Sequence, residues 1–143
     1  MEITSQVLSR IIGSVLFLLS LVGAYDYLMT LIHNLAYFKY LGYSEKQIEY
    51  FTNYPVPLVI LWTLGVWGTV IGSVLLLFGS RWAILSLGVA FFGQLILNVY
   101  TFSTRNRWEV LGPKLGTQDF LIFLVTLMIL IYAMYLHRNG ILH

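Results

Sequence analysis

Four stretches of this chain, roughly 11–31, 56–78, 82–102 and 120–136, are long, apolar and nearly free of charge. A helix rising 1.5 Å per residue needs about 20 apolar residues to cross a hydrocarbon core about 30 Å thick. The second, third and fourth stretches carry no Asp, Glu, Lys or Arg, and the first carries only Asp26. In lipid every backbone polar group must be satisfied within its own segment, which leaves helices as the way to cross with such segments. The pattern therefore predicts an all-α integral membrane four-helix bundle, a single transmembrane domain over residues 1–143. Charge supports this: 10% of residues are charged and 59% are hydrophobic, against about 25% charged in a typical soluble domain.

Residues absent from the chain exclude whole chemistries. Without cysteine there are no disulfides, thiolate metal sites or iron–sulfur ligands, and no dithiol quinone-reductase mechanism. The net charge of +2 is spread along the chain, with no basic cluster of the kind that binds nucleic acid or anionic lipid. No nucleotide-binding glycine motif, HExxH or nucleophile elbow is present. We expect no metal and no cofactor. Arg10, the apolar run 11–22 and the small residues Gly23 and Ala24 loosely imitate a secretory signal. We expect this segment to be retained as a membrane helix.

The connections differ in kind. Gly79, Ser80 and Arg81 alone join the second and third stretches, which forces an antiparallel hairpin. Pro55 and Pro57 open the second helix, where a missing N–H costs little. Thr117 and Asp119 are placed to cap the fourth. The first connection, 33–54, is rich in tyrosine and phenylalanine, rings that gather at the membrane boundary. Within it Ser44 and Gln47 have capping-box spacing, predicting a short interfacial helix over 45–51. The other long connection, 103–116, carries Arg105, Arg107 and a Gly112-Pro113 turn signal.

Small and polar residues mark the faces where neighbours meet. On the second helix Gly65, Gly68, Thr69, Gly72 and Ser73 share a face, suited to a tight oligomer contact or, more plainly, to packing within the bundle. On the third, Ser86, Ala90, Gly93, Gln94, Asn98 and Thr101 form a stripe whose amides need partners. These amides fit either helix-to-helix hydrogen bonding or the wall of a polar pocket.

Asp26 is the most informative single residue, since a carboxylate within a membrane helix suggests function. Asp26, Thr30 and His33 recur at i, i+4 and i+7 on one face, and Asp26 lies roughly 8 Å from the end of the first helix by helical rise. Topology puts them at the bundle end that also holds Gln94, Asn98, Asn34, Asn53, Gln118 and Asp119. The candidate ligand-binding cluster is Asp26, Thr30, His33, Asn34, Gln94 and Asn98, with His33, Arg105 and Arg107 as partners for the Asp26 carboxylate. Alternatively the first helix spans only 7–24, and Asp26 is a solvated headgroup-level residue.

Several motifs carry a resemblance. The run from Gly23-Ala24-Tyr25-Asp26-Tyr27 to Thr30 is one, and Leu41-Gly42-Tyr43-Ser44 with Tyr50-Phe51 is another. Trp67-Gly68 to Gly72-Ser73 and Gly79-Ser80-Arg81-Trp82-Ala83 are the others. Together they resemble a family of small bacterial membrane proteins often labelled "sugar transporter" or "hypothetical membrane protein", similar in size and helix count to the DoxX-like group. The resemblance implies a bacterial inner membrane and cytoplasmic termini. Basic residues alone imply the reverse: Arg10, Arg81 and Arg138 flank the termini side, against five Lys and Arg in the long connections. The family's usual glutamate after the asparagine of the first connection is Leu35 here.

Three functions compete. The first is a non-catalytic accessory or small-ligand-binding component of a membrane assembly, with the bilayer and a membrane-protein partner or second copy as its contacts. The second is a small-solute transporter, which for so short a chain requires a homo-oligomer. The third is a quinone-linked redox subunit. The absence of a recognisable catalytic set favours the first.

Overall fold

The structure, a computed structural model, describes residues 2–52, 54–105 and 107–143. Among these residues the chain forms six helices and no strand: α1 (Glu2–Leu31), α2 (Leu35–Tyr40), α3 (Glu45–Thr52), α4 (Val56–Leu77), α5 (Trp82–Thr104) and α6 (Arg107–Arg138). The four long helices, α1, α4, α5 and α6, are each long and apolar enough to cross a bilayer. The protein is an all-α, multi-pass membrane protein built on a four-helix bundle.

Several boundaries differ from expectation. α1 begins at Glu2 rather than near 11, because polar residues such as Ser5 and Gln6 continue a helix that a hydropathy scan ends at the apolar edge. Two short helices, not one, fill the first long connection. α2 arises because the Asn34 side chain accepts the Tyr37 N–H at 3.0 Å, an N-cap. α3 has the capping box: Ser44 N–H donates to Gln47 Oε1 at 2.9 Å, and Gln47 N–H donates back to Ser44 Oγ at 3.3 Å. Most of 103–116 is helical rather than a loop. Only Gly112 breaks α6, at φ 86° and ψ 168°, a region open to glycine alone, and Pro113 restarts the helix where no donor is needed. Since α6 is helical well before 120, Thr117 and Asp119 lie within it and cap nothing.

The hairpin turn has the expected length and a clear physical basis. Ser80 N–H donates to Leu75 O at 2.8 Å and Gly79 N–H to Leu76 O at 3.0 Å, with Gly79 at φ 73°. This is a Schellman stop, which satisfies carbonyls that the ended helix would orphan.

Among the described residues the closest packing between long helices follows chain order, α1 on α4, α4 on α5 and α5 on α6. At the termini end Leu16, Leu76, Ala83, Leu87, Ala133 and Leu136 form a core that Ile141 and Leu142 complete. The His143 N–H donates to Gly79 O at 2.8 Å and tethers the tail to the hairpin turn. At the other end Tyr50, Phe51 and Leu111 form a smaller core with Tyr43 and Tyr54. Outward-facing apolar residues such as Leu18, Val22 and Met128 stay about two-thirds exposed, as lipid-facing residues should.

The glycine face of α4 is used within the chain. A Cβ at Gly68 would lie 3.0 Å from Ala90 Cβ, and one at Gly72 would lie 2.7 Å from two side-chain carbons of Leu87. Gly65 lies against Gln94 in the same way, and Ser86 Oγ donates to Gly68 O at 2.7 Å. Thr69 and Ser73 turn their hydroxyls onto carbonyls of their own helix. Gly65, Gly68 and Gly72 thus serve the packing of α4 on α5 within the chain.

Candidate functional site

Asp26 sits near the end of α1, which continues helical to Leu31. Its carboxylate accepts the Tyr37 hydroxyl at 2.5 Å, a bond from α2 back to α1. None of the expected partners, His33, Arg105 or Arg107, hydrogen-bonds to it. Arg107 and Asp119 act on it only at coulombic range. Burial, followed by the Asp26 bond, pushes the Tyr37 phenol above its ordinary value.

The expected six-residue cluster is divided. Thr30 is buried on α1. His33 lies beyond the end of the helix, exposed and left-handed at φ 54°, so it does not share the Asp26 face. It occupies the place a glycine usually takes in a Schellman stop, with Asn34 N–H donating to Met29 O at 3.1 Å. Asn34 is spent on capping α2. Gln94 is packed on Gly65, and its Oε1 is buried with no partner among the described residues. Asn98 faces a groove between α5 and α6. Gln94 and Asn98 make no hydrogen bond to Asp26, because α5 lies across α4 from α1. Asn53, expected at this end, lies outside the described residues. Among the described residues no three potential metal ligands gather, around Asp26 and His33 or elsewhere.

Two arrangements replace that cluster. The first is the groove, a space of about 460 Å³ whose walls include Leu95, Asn98, Phe102, Trp108, Thr117 and Phe123. Its surface is almost wholly apolar, with Asn98 and Thr117 supplying polar groups. Gly116 makes it: Trp108 lies so close that a Cβ at Gly116 would run into the indole ring. The kink at Gly112 is what folds the first turn of α6 back to bring Trp108 there.

The second is an arginine–tyrosine cluster where α3 meets the ends of α5 and α6. The Arg105 guanidinium carbon lies 4.5 Å from the Tyr50 ring centroid and 5.2 Å from that of Tyr54, and its Nη2 donates to Tyr50 O at 3.0 Å. Arg107 grips Asp119 with Nε and Nη2, and both side chains are mostly buried, at 12% and 19% exposure. Gln47 Nε2 donates to Leu111 O at 2.9 Å and ties α3 to α6. Burial pushes the Tyr43 and Tyr54 phenols up to about 12, against the lowering pull of Arg107. The sequence signal for this cluster was present, an aromatic-rich connection facing a paired Arg105 and Arg107. Read segment by segment, it suggested only a membrane-boundary belt.

Chemically, the groove can hold an apolar body with one hydrogen-bonding end. Asp26 and Asp119, each engaged by a neighbour, act as structural acceptors in this arrangement. No family model matches the chain, and neither a curated protein nor a solved structure matches it.

Proposed function

We propose that this protein is a non-catalytic, small-ligand-binding component of a membrane assembly, and that the α5–α6 groove is where its ligand lies. The observation that carries this reading is the groove itself: an apolar space of about 460 Å³ between two spanning helices, with Asn98 on its wall. Ligand sites are concave and mainly apolar, with a few polar groups that set orientation. The ligand that fits is amphiphilic, with an apolar body and a hydrogen-bonding end that meets the Asn98 amide or the Thr117 hydroxyl. A quinone-like or isoprenoid molecule has that form. The non-catalytic reading is supported by Asp26 and Asp119, whose carboxylates are bonded to Tyr37 and Arg107.

The setting we propose is a bacterial inner membrane with both termini in the cytoplasm, following the resemblance to the small DoxX-like membrane proteins.

Native mass spectrometry on protein extracted gently from its own membrane tests the reading. The expected result is a small molecule bound one-to-one, lost in Asn98→Leu while Gly23→Ala keeps it. A wild-type protein that carries only the bulk lipids of its membrane would overturn it.

A further inference from the structure

Three polar groups crowd around one ring at the α3 end, and each lacks a partner among the described residues. They are the Tyr50 hydroxyl, Arg105 Nε and Arg107 Nη1. Tyr50 is 6% exposed, so its hydroxyl cannot turn to water. The guanidinium carbons of Arg105 and Arg107 stand 4.5 Å and 5.8 Å from its ring centroid. Buried donors without acceptors cost free energy, and native structures rarely leave several side by side.

Charge points the same way. Among the described residues the only ion pair is Arg107 with Asp119. Arg105 has two aromatic faces and one backbone carbonyl, but no anion. Arginine and tyrosine supply N–H and O–H donors in quantity, and the guanidinium has no acceptor at all. A neutral carbonyl oxygen has two lone pairs and cannot satisfy three donors and offset an unmatched cation. A tetrahedral oxyanion has both the charge and the acceptor count, and guanidinium groups match phosphate oxygens well. Position narrows the class. Arg105 follows the last residue of α5 and Arg107 opens α6, so the cluster lies where two spans leave the membrane, at headgroup depth.

We infer that Tyr50, Arg105 and Arg107 form a binding site for a phosphate-class oxyanion at the membrane boundary. The phosphate comes from a lipid headgroup or from solution. The site is separate from the α5–α6 groove and does not depend on what the groove holds. Solvent does not reach the three groups in this structure, so entry requires α3, which carries Tyr50, to lift from the start of α6. The bond from Gln47 to Leu111 holds it down.

The test uses protein in a phosphate-free maltoside detergent, with melting temperature as the readout. One arm adds inorganic phosphate, a second adds phosphatidylglycerol, and chloride at matched ionic strength is the control. The expected result is a saturable rise in melting temperature with at least one phosphate source that chloride does not reproduce. A response to inorganic phosphate identifies a soluble ligand, and a response confined to phosphatidylglycerol identifies a headgroup. Tyr50→Phe keeps the ring and its arginine contacts, so it folds as the wild type does. It should weaken apparent affinity about tenfold, the loss of one hydrogen bond to a charged acceptor. Arg105→Gln should weaken it at least as much. A wild type that responds to neither source beyond chloride overturns the inference, as does a response unchanged in both Tyr50→Phe and Arg105→Gln. Either failure leaves the groove's own ligand, read by mass spectrometry, unaffected.

Discussion

The Tyr37 hydroxyl donates a hydrogen bond of 2.5 Å to the carboxylate of Asp26, so the first connection is fastened to the one acidic residue near the end of α1. Removing the hydroxyl leaves a half-buried carboxylate without its donor. Tyr37→Phe should therefore cost about 1–3 kcal/mol, read by unfolding in mixed micelles. Asp26→Asn keeps an acceptor oxygen for Tyr37 and should cost less. Equal stability of Tyr37→Phe and wild type would mean that this bond contributes nothing.

Arg107 and Asp119 hold the first turn of α6 against its body across the Gly112 kink. Breaking a mostly buried pair strands one charge, so Arg107→Ala should lose about 3–5 kcal/mol. Removing both charges in Arg107→Ala/Asp119→Ala should recover part of that loss. A double-mutant cycle on unfolding free energies measures the recovery, and strict additivity would rule out the coupling.

Two glycines should respond in opposite senses to alanine. Gly72→Ala forces a methyl against Leu87 and should cost about 1–3 kcal/mol through overpacking. A methyl at Gly23 on α1 would meet nothing within 4 Å, so Gly23→Ala should be neutral or gain up to about 1 kcal/mol in helix propensity. Melting temperatures of the two variants in one detergent check the contrast.

His33 is the one non-glycine residue with positive φ among those described, at 54°. Its side chain is exposed and left-handed backbone is strained for it, so His33→Gly should raise stability by up to about 1 kcal/mol. A loss on this substitution would show that the imidazole makes contacts worth more than the strain.

High pH should loosen the α3 end. The Tyr43 and Tyr54 phenols are raised from 10.0 to about 12 by burial, so the folded state holds their protons more tightly than the unfolded chain. Their contribution is fully present below about 10 and is lost as pH rises through about 12. Tyrosinate absorbance should show these two titrating late, and Tyr54→Phe should flatten the fall in stability over that window.

Much of the architecture was legible because lipid imposes a simple rule. Charge-free runs of spanning length marked α4 and α5 almost to the residue, and the Gly79 turn, the Pro55 start and the Ser44–Gln47 capping box each have a local cause. Helical extension into polar surroundings was not legible, so α1 starts earlier and α6 absorbs most of its preceding connection. The site was harder, because helical periodicity places residues on a face but does not say which helix the face meets. Asp26 and Asn98 share a bundle end yet face different neighbours, Tyr37 and the groove. Arg105 and Tyr50 are far apart in sequence, and no spacing rule joins them.

Photo-crosslinking in native membranes separates a specific ligand in the α5–α6 groove from bulk lipid. A photoreactive residue at 99, on the groove wall, is compared with one at 85, on the same helix near its other end. Val99 and Leu85 are almost equally exposed, at 58% and 61%, so exposure alone gives both the same lipid mixture. One dominant adduct is expected at 99, suppressed by Asn98→Leu, with a heterogeneous set at 85. The same heterogeneous lipids at both positions would contradict that expectation.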